Sequence, residues 1–192
     1  MNRQLQQTRR TISLGFLAIP YYQSNPTMST TNTLGVGIPV AIPLLSSSLT
    51  VFYALVEPTI FIPFIKASKE DLATTSKMIR LWWTNGLPLG LAVVFSVTLP
   101  TIIGGIYASR LFPHDSAKRT LCLAGSAFAL GHFAFVPTIS QTIKNACDEE
   151  VEKKGQSIEY VKKWLKVHFW RTLTADLPAL VCFGIVAFSN SF

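Results

Sequence analysis

Residues Leu81 to Ser109 read LWWTNGLPLGLAVVFSVTLPTIIGGIYAS and contain no charged side chain. A helix needs about 20 predominantly apolar residues to cross the hydrocarbon core of a bilayer, and this stretch is longer than that. Other long uncharged stretches place three more spans along the chain. The predicted spans are Ile42–Ile65, Gly86–Tyr107, Thr120–Ser140 and His168–Phe188. Because backbone groups in lipid must pair internally, the sequence predicts an all-α fold, an integral membrane four-helix bundle.

The composition of the whole chain also favours a membrane protein. Of its 192 residues, 49% are hydrophobic and 14% are charged, against roughly 25% charged residues in an average soluble domain. The net charge of +7 comes without a cluster of Arg and Lys interleaved with stacking aromatic residues, so nucleic acid is not an expected partner. Basic loops beside the membrane explain the charge better. A soluble helical bundle is the alternative that this composition disfavours.

The first 33 residues differ in composition from the rest of the chain. They contain Arg3, Arg9 and Arg10, many Ser, Thr and Gln residues and no acidic residue. This composition suits a transit peptide, although a flexible tail is the reading that we favour. We therefore predict a flexible or targeting tail over residues 1–33 and a four-span transmembrane domain over residues 34–192. We expect a multi-pass protein of an endomembrane, such as the endoplasmic reticulum, rather than of mitochondria.

Proline and glycine residues mark the places where regular helix is hardest to maintain. Pro39, Pro43, Pro58 and Pro63 lie in or just before the first span and predict kinks or a late start for that helix. In the long charged loop before the fourth span, Gly155 predicts a break between two helices. The second of these is expected to continue into the fourth span as one long helix.

The predicted spans contain three charged side chains, Glu57, Arg171 and Asp176, together with the histidines His132 and His168. A charge near the bilayer centre costs at least about 2.5–3.5 kcal/mol on insertion scales, so such residues normally face the bundle interior with a partner. Arg171 would then pair with Glu57 or with Asp176. The alternatives are that Arg171 extends to the headgroups and that His132 only hydrogen-bonds a neighbouring helix. We favour a polar pocket between the four helices.

The stretch WLKVHFWR, Trp164 to Arg171, places three useful side chains on one helix face. Trp164, His168 and Arg171 lie four and then three residues apart, which is the spacing of neighbours on a helix surface. An indole, an imidazole and a guanidinium in register can anchor a helix at a membrane surface or line a site. We favour the site.

Three stretches of the sequence together resemble a known family. They are LWWTNGLPLG before the second span, FVPTISQTIKNA at the end of the third and WLKVHFWR at the start of the fourth. The residue types in these stretches, and the order of the stretches along the chain, resemble those of the anthrone-oxygenase-like proteins. These are small four-helix membrane proteins of fungal aromatic polyketide pathways. The matching positions are Trp82 or Trp83, Pro137, Thr138, Asn145, Trp164, His168 and Arg171.

The resemblance implies a tailoring enzyme of secondary metabolism that oxidises an anthrone-like or other phenolic, lipophilic substrate with dioxygen and without an organic cofactor. His168 would be the base, and Arg171 would bind the developing anion. Trp83 and Trp164 would stack against the flat substrate. The expected partners are this aromatic molecule and the lipid bilayer, with a homo-oligomer as an open alternative. The other substrate-binding residues that we predict are Asn145, His132, Asn85 and Glu57.

Three other functions stay open at the level of the sequence. A metal-dependent enzyme could take His132, His168 and either Glu57 or Asp176 as ligands. A non-oxidative cyclase or isomerase would use the same base and cation. A non-catalytic membrane scaffold for pathway enzymes would use neither. Metal analysis, the oxygen dependence of turnover and the effect of His168→Ala on product formation distinguish these functions.

Overall fold

The structure is a computed structural model that describes residues 30–189, with side-chain burial from residue 37 onward. Of the tail predicted over residues 1–33, residues 1–29 lie outside the described part. The described helices are α1 (Thr30–Ala67), α2 (Leu72–Ser109), α3 (Ala117–Gly131), α4 (Val136–Ala146), α5 (Glu149–Lys153), α6 (Ser157–Arg171) and α7 (Leu177–Phe188). A 3₁₀ segment, His132–Phe135, joins α3 to α4, and a π-helical segment, Thr172–Asp176, joins α6 to α7. Residues 30–189 contain no β-strand, so the predicted all-α class is confirmed.

Four helices in the structure are long and apolar enough to cross a bilayer, which is the arrangement of a multi-pass membrane protein. Each of the four predicted spans lies inside one of them. The first three helices extend beyond both predicted limits, and the fourth extends beyond its predicted start. The four helices cover Gly37–Ala67, Leu72–Ser109, Ala117–Ala146 and Ser157–Phe188. The organelle that contains this membrane stays a prediction.

The helices form a ring in which α1 contacts α2 and α7, and α3 contacts the same two helices. Large apolar side chains cover the outside of the bundle: Phe52 and Leu55 are each 65% exposed and Leu89 is 71% exposed. Several polar side chains are buried inside it. This distribution reverses the soluble pattern and fits a bundle whose outer surface contacts hydrocarbon.

The first helix is continuous through all four of its prolines, so the late start considered from the sequence is not observed. Proline lacks a backbone N–H and leaves the carbonyl four residues before it without its usual helical partner. Transmembrane helices tolerate this where a neighbouring helix supplies another donor. At Pro58 the released carbonyl is that of Ala54, and its new partner belongs to the site described below.

Side chains inside the bundle form successive layers along its axis. An aromatic layer near the α1–α2 turn contains Phe61, Trp83 and Trp164. At the opposite end, Phe183 packs with Ala129 and Ala179. The ionisable residues of the spans lie between these two apolar layers. The low-dielectric surroundings on both sides make unpaired charges there costly.

The charged loop before the fourth span contains the break between two helices that the sequence predicts. Gly155 has a φ of +69°, a left-handed conformation that glycine adopts readily, and it separates α5 from α6. A methyl group at this position would come within 2.7 Å of the Leu72 side chain. From Ser157 the chain stays helical to Phe188 through the π-helical segment, so the single long helix predicted here is present.

Candidate functional site

Five ionisable side chains meet inside the bundle and are called the buried network here. None is more than 8% exposed, and His168 is 1% exposed. They come from α1, from the 3₁₀ segment, from α6 and from the π-helical segment, so that three separate spans contribute to one site. The members of the network are Glu57, His132, His168, Arg171 and Asp176.

The first half of the network joins His168 to α1. Its Nε2 atom lies 3.2 Å from the carbonyl oxygen of Ala54 and 2.9 Å from Oε2 of Glu57. The carbonyl oxygen can only accept, so Nε2 carries the hydrogen, which it donates to the carbonyl. The Nδ1 atom is buried and has no hydrogen-bond partner among the described residues. A neutral His168 therefore keeps a free lone pair at Nδ1.

The dipeptide Glu57–Pro58 explains how α1 provides this contact. Pro58 has no N–H to offer the Ala54 carbonyl one turn earlier, so that carbonyl is free for His168. The neighbouring residue, Glu57, directs its carboxylate to the same nitrogen. One proline thus creates an acceptor beside a buried charge, and the two together fix the imidazole.

The second half of the network holds Arg171. Its Nε atom donates to Oδ2 of Asp176 over 3.3 Å, and Oδ1 of the same carboxylate lies 2.8 Å from Nδ1 of His132. A guanidinium nitrogen, Nη2 of Arg171, lies 3.4 Å from Nε2 of His168 and connects the two halves. Of the two partners that the sequence allows for Arg171, the structure uses Asp176. Glu57 instead contacts His168.

Interruptions of the α-helix position this second half. Residues five apart point about 140° away from each other in an α-helix, whereas a π-helical turn brings them onto one side. The π-helical segment therefore places Asp176 over Arg171, five residues earlier. The 3₁₀ segment, which begins at His132, similarly changes the helical register between α3 and α4. A proline shortly follows each segment, Pro178 after the first and Pro137 after the second, and each removes a helical hydrogen bond.

Aromatic rings close the network on the side of the α1–α2 turn. The Trp164 ring stacks on His168 with centroids 4.7 Å apart and planes 24° apart. Trp83 meets Trp164 edge-on at 5.2 Å and stacks on Phe61 at 5.1 Å. Trp164 thus packs against His168, and Trp83 packs against Trp164, as a buried wall behind the base. Their predicted stacking on substrate stays a prediction.

The structure does not bring either predicted asparagine into the network. Asn145 lies in the last turn of α4, about 20 Å along the helix axis from His132, and accepts a hydrogen bond from Gln141 at 3.0 Å. Asn85 is exposed and donates to the Leu81 carbonyl one turn before it, at 2.7 Å. It lies on a groove between α1 and α2 instead. Substrate contact at either residue stays a prediction.

Tyr53 is a residue of interest that the sequence did not single out. It precedes Glu57 by four residues, so the two side chains share one face of α1. It also lines the groove between α1 and α2. An aromatic hydroxyl one turn from a buried glutamate is the signal that could have found it.

The three-ligand set considered for a metal is not assembled in the structure. Among the described residues, no three His, Cys, Asp or Glu side chains are grouped so that they could hold one ion. The histidines belong to separate pairs, His168 with Glu57 and His132 with Asp176. The Arg171 cation lies between these pairs.

A small cavity adjoins the network on the side away from the aromatic layer. It has a volume of about 10 Å³, and Asp176, Thr98 and Thr101 are among the residues that line it. The Thr98 hydroxyl has no hydrogen-bond partner among the described residues. Thr101 donates to the Ser46 hydroxyl at 2.8 Å and links α2 to α1. A cavity of this volume is about the smallest that can hold one water molecule.

Comparisons with known proteins identify two relatives and no family. The chain is 28% identical over 145 residues to the "Probable epoxidase scpX" of Mollisia scopiformis, an alignment that covers 74% of this chain and 89% of that protein. It is 24% identical over 149 residues to the "Epoxidase pydX" of an Acremonium species, covering 76% and 90%. No family model matches the chain, and no solved structure matches it. Both relatives are named for an oxidative reaction, and neither is named as an anthrone oxygenase.

Proposed function

We propose that this chain is a membrane-embedded oxidative tailoring enzyme of fungal secondary metabolism that acts on a lipophilic, phenolic aromatic compound with dioxygen. The names of the two relatives support an oxidative reaction. The observation that carries the proposal is the buried network, because five ionisable side chains in the apolar interior of a bundle are costly and are usually kept for function.

An epoxidase and an anthrone oxygenase have the same electron balance when the substrate is electron-rich. A hydroquinone and one dioxygen give a quinone epoxide and one water. An anthrone and one dioxygen give an anthraquinone and one water. In each reaction one oxygen atom enters the product, and the substrate itself supplies the electrons that reduce the other to water. We therefore propose that no organic cofactor takes part.

The first step on either route is the loss of a proton from the substrate. The network contains two carboxylates and one guanidinium, so with both histidines neutral its net charge is −1. Uptake of one proton by the Glu57–His168 pair would bring the net charge of the network to zero. The conjugate base left on the substrate is delocalised and can donate an electron to dioxygen.

Arg171 would stabilise the anion that forms next. Its guanidinium lies beside His168 and is held from behind by Asp176, which His132 in turn contacts. A fixed cation in a dry site stabilises developing negative charge far better than one exposed to water. Asp176 and His132 are thus positioning residues in this proposal.

Oxygen uptake by the purified full chain in lipid nanodiscs tests the proposal. The probes are anthrone and 1,4-dihydroxynaphthalene, each corrected for its spontaneous oxidation, with products identified by mass spectrometry. We expect catalysed uptake with at least one of them and a quinone or an epoxyquinone as the product. Turnover of such a phenol without oxygen would favour a cyclase or isomerase, and normal product formation by His168→Ala would favour a scaffold.

A further inference from the structure

A recess lies on the outer side of the bundle, between α1 and α2. It has a volume of about 720 Å³, within the range of small-molecule sites. From Phe64 to Tyr53 it follows α1 over eleven residues, or about 17 Å. Its lining includes Tyr53, Trp82, Asn85, Gly86 and Gly90.

Two glycines keep this groove open. Gly86 and Gly90 lie one turn apart on α2, and a methyl group added to either would meet no other atom within 4 Å. Glycine in a helix interior costs roughly 0.5–1 kcal/mol relative to alanine. Close packing of helices does not explain these two positions, because nothing packs against them. Their effect is to leave space beside the exposed surface of α2.

The groove reaches the network at one described point. His168 is 1% exposed and does not line the groove, so a molecule in the groove cannot contact it directly. Tyr53 lines the groove and lies one turn before Glu57 on the same face of α1, and Glu57 contacts His168. Among the groove residues, Tyr53 is therefore the one that connects a bound molecule to the base.

We infer that the groove is the substrate-binding site and that Tyr53 is the catalytic residue that receives the substrate's proton. In this step the O–H bond of the substrate phenol breaks and its proton passes to the Tyr53 oxygen, while the Tyr53 proton passes to Glu57. The substrate becomes a phenolate, Tyr53 is restored and Glu57 becomes neutral. This inference rests on the proposed function, since it assigns the route of the proton in that reaction.

The occupant to which the geometry points is a flat aromatic molecule with a hydroxyl group. Trp82 offers a half-buried indole in the groove wall, and Asn85 offers an amide at a second polar point. A lipid acyl chain would fit the apolar lining but would have no partner for the Tyr53 hydroxyl or for Asn85. Such a chain is the competing occupant that the experiment must distinguish.

The first test fills the groove in the intact protein in nanodiscs. Gly90→Leu adds a bulky side chain to the groove at a position where a Cβ atom meets nothing within 4 Å. Gly184→Leu is the matched control, because Gly184 is also helical, has nothing within 4 Å of an added methyl group and does not line the groove. The ligand probe is 1-naphthol, which quenches tryptophan fluorescence, and Trp82→Phe identifies the tryptophan that reports binding. We expect at least a tenfold weaker apparent affinity in Gly90→Leu and an unchanged affinity in Gly184→Leu. Equal binding by both variants would overturn the assignment. So would fluorescence quenching by 1-naphthol that persists in Trp82→Phe. The assignment would also fail if decane displaced 1-naphthol as completely as naphthalene-diol competitors do.

The second test addresses the proton. Tyr53→Phe keeps the ring and the groove but removes the hydroxyl, so we expect turnover to fall by about 100-fold, within the usual range for acid–base groups, with KM for the probe changed less than threefold and the melting temperature retained. Unchanged turnover would refute the role of Tyr53 while leaving the proposed oxidation intact. If the wild-type protein takes up no oxygen with any probe, the proposed function fails, and the 1-naphthol binding experiment still decides whether the groove is a site.

Discussion

The Nε2 atom of His168 lies 2.9 Å from Oε2 of Glu57 and 3.2 Å from the carbonyl oxygen of Ala54. These two oxygens belong to the same turn of α1, and the carbonyl is available because Pro58 cannot donate to it. A sequence feature that would ordinarily weaken a helix therefore fixes the tautomer of the imidazole that the proposed reaction needs. It also leaves the second nitrogen of that ring unprotonated when His168 is neutral.

The contribution of this proline is testable by Pro58→Ala. Alanine restores an N–H that competes with His168 for the Ala54 carbonyl, so we expect a better helix, an unchanged or higher melting temperature and an oxygen-uptake rate at least fivefold lower. Pro63→Ala is the control, because Pro63 is an exposed proline of the same helix, outside the network. The idea fails if the two substitutions affect the rate equally.

The four spans and the Arg171–Asp176 pair are features that the sequence alone could predict, the pair as one of two alternatives. The uncharged stretches of the chain are longer than typical loops, so the sequence predicts the spans without a structure. The sequence also predicts the pair as one of two possible pairings of Arg171, since a buried cation needs a partner. Which carboxylate Arg171 contacts depends on the π-helical turn at Thr172–Asp176, whose five-residue register cannot be derived from a 3.6-residue period.

The contacts of Glu57 and the position of the groove could not be predicted in the same way. They depend on the rotation of α1 against α2 and α6, which many weak packing contacts set together. Asn145 lies about 20 Å along the helix axis from His132, a separation that follows from helix length, and its contact with substrate stays a prediction.

We expect the effects on stability of substitutions at Arg171 and at Asp176 to be strongly coupled, because the two side chains form a buried ion pair. Removing one partner of a buried pair leaves an uncompensated charge and typically costs about 3–5 kcal/mol. We expect Arg171→Met and Asp176→Asn each to lower the thermal midpoint in nanodiscs markedly, and the double variant to be more stable than the sum of the two losses predicts. Strict additivity in this double-mutant cycle would show that the pair does not act as a unit.

Close packing around Phe183 should be equally sensitive. A methyl group on Gly125 would lie 2.8 Å and 2.9 Å from two atoms of the Phe183 ring, which fills the space between α2, α3 and α7. We expect Gly125→Ala to destabilise the bundle by about 1–3 kcal/mol, the usual cost of overpacking. Adding Phe183→Leu should recover part of the loss. A thermal midpoint for Gly125→Ala equal to that of the wild type would show that the ring moves aside freely.

The most direct test of the central claim is isotope labelling with ¹⁸O₂, comparing the wild-type chain with His168→Gln and with His114→Gln. His114 is an exposed histidine in the turn between α2 and α3 and serves as the matched control. We predict that the wild type and His114→Gln place one labelled oxygen atom in the quinone or epoxyquinone product, and that His168→Gln, at the same protein level and melting temperature, forms this product at least about 100 times more slowly. Labelled product formed by His168→Gln at the wild-type rate would contradict the claim that the buried network carries out the oxidation.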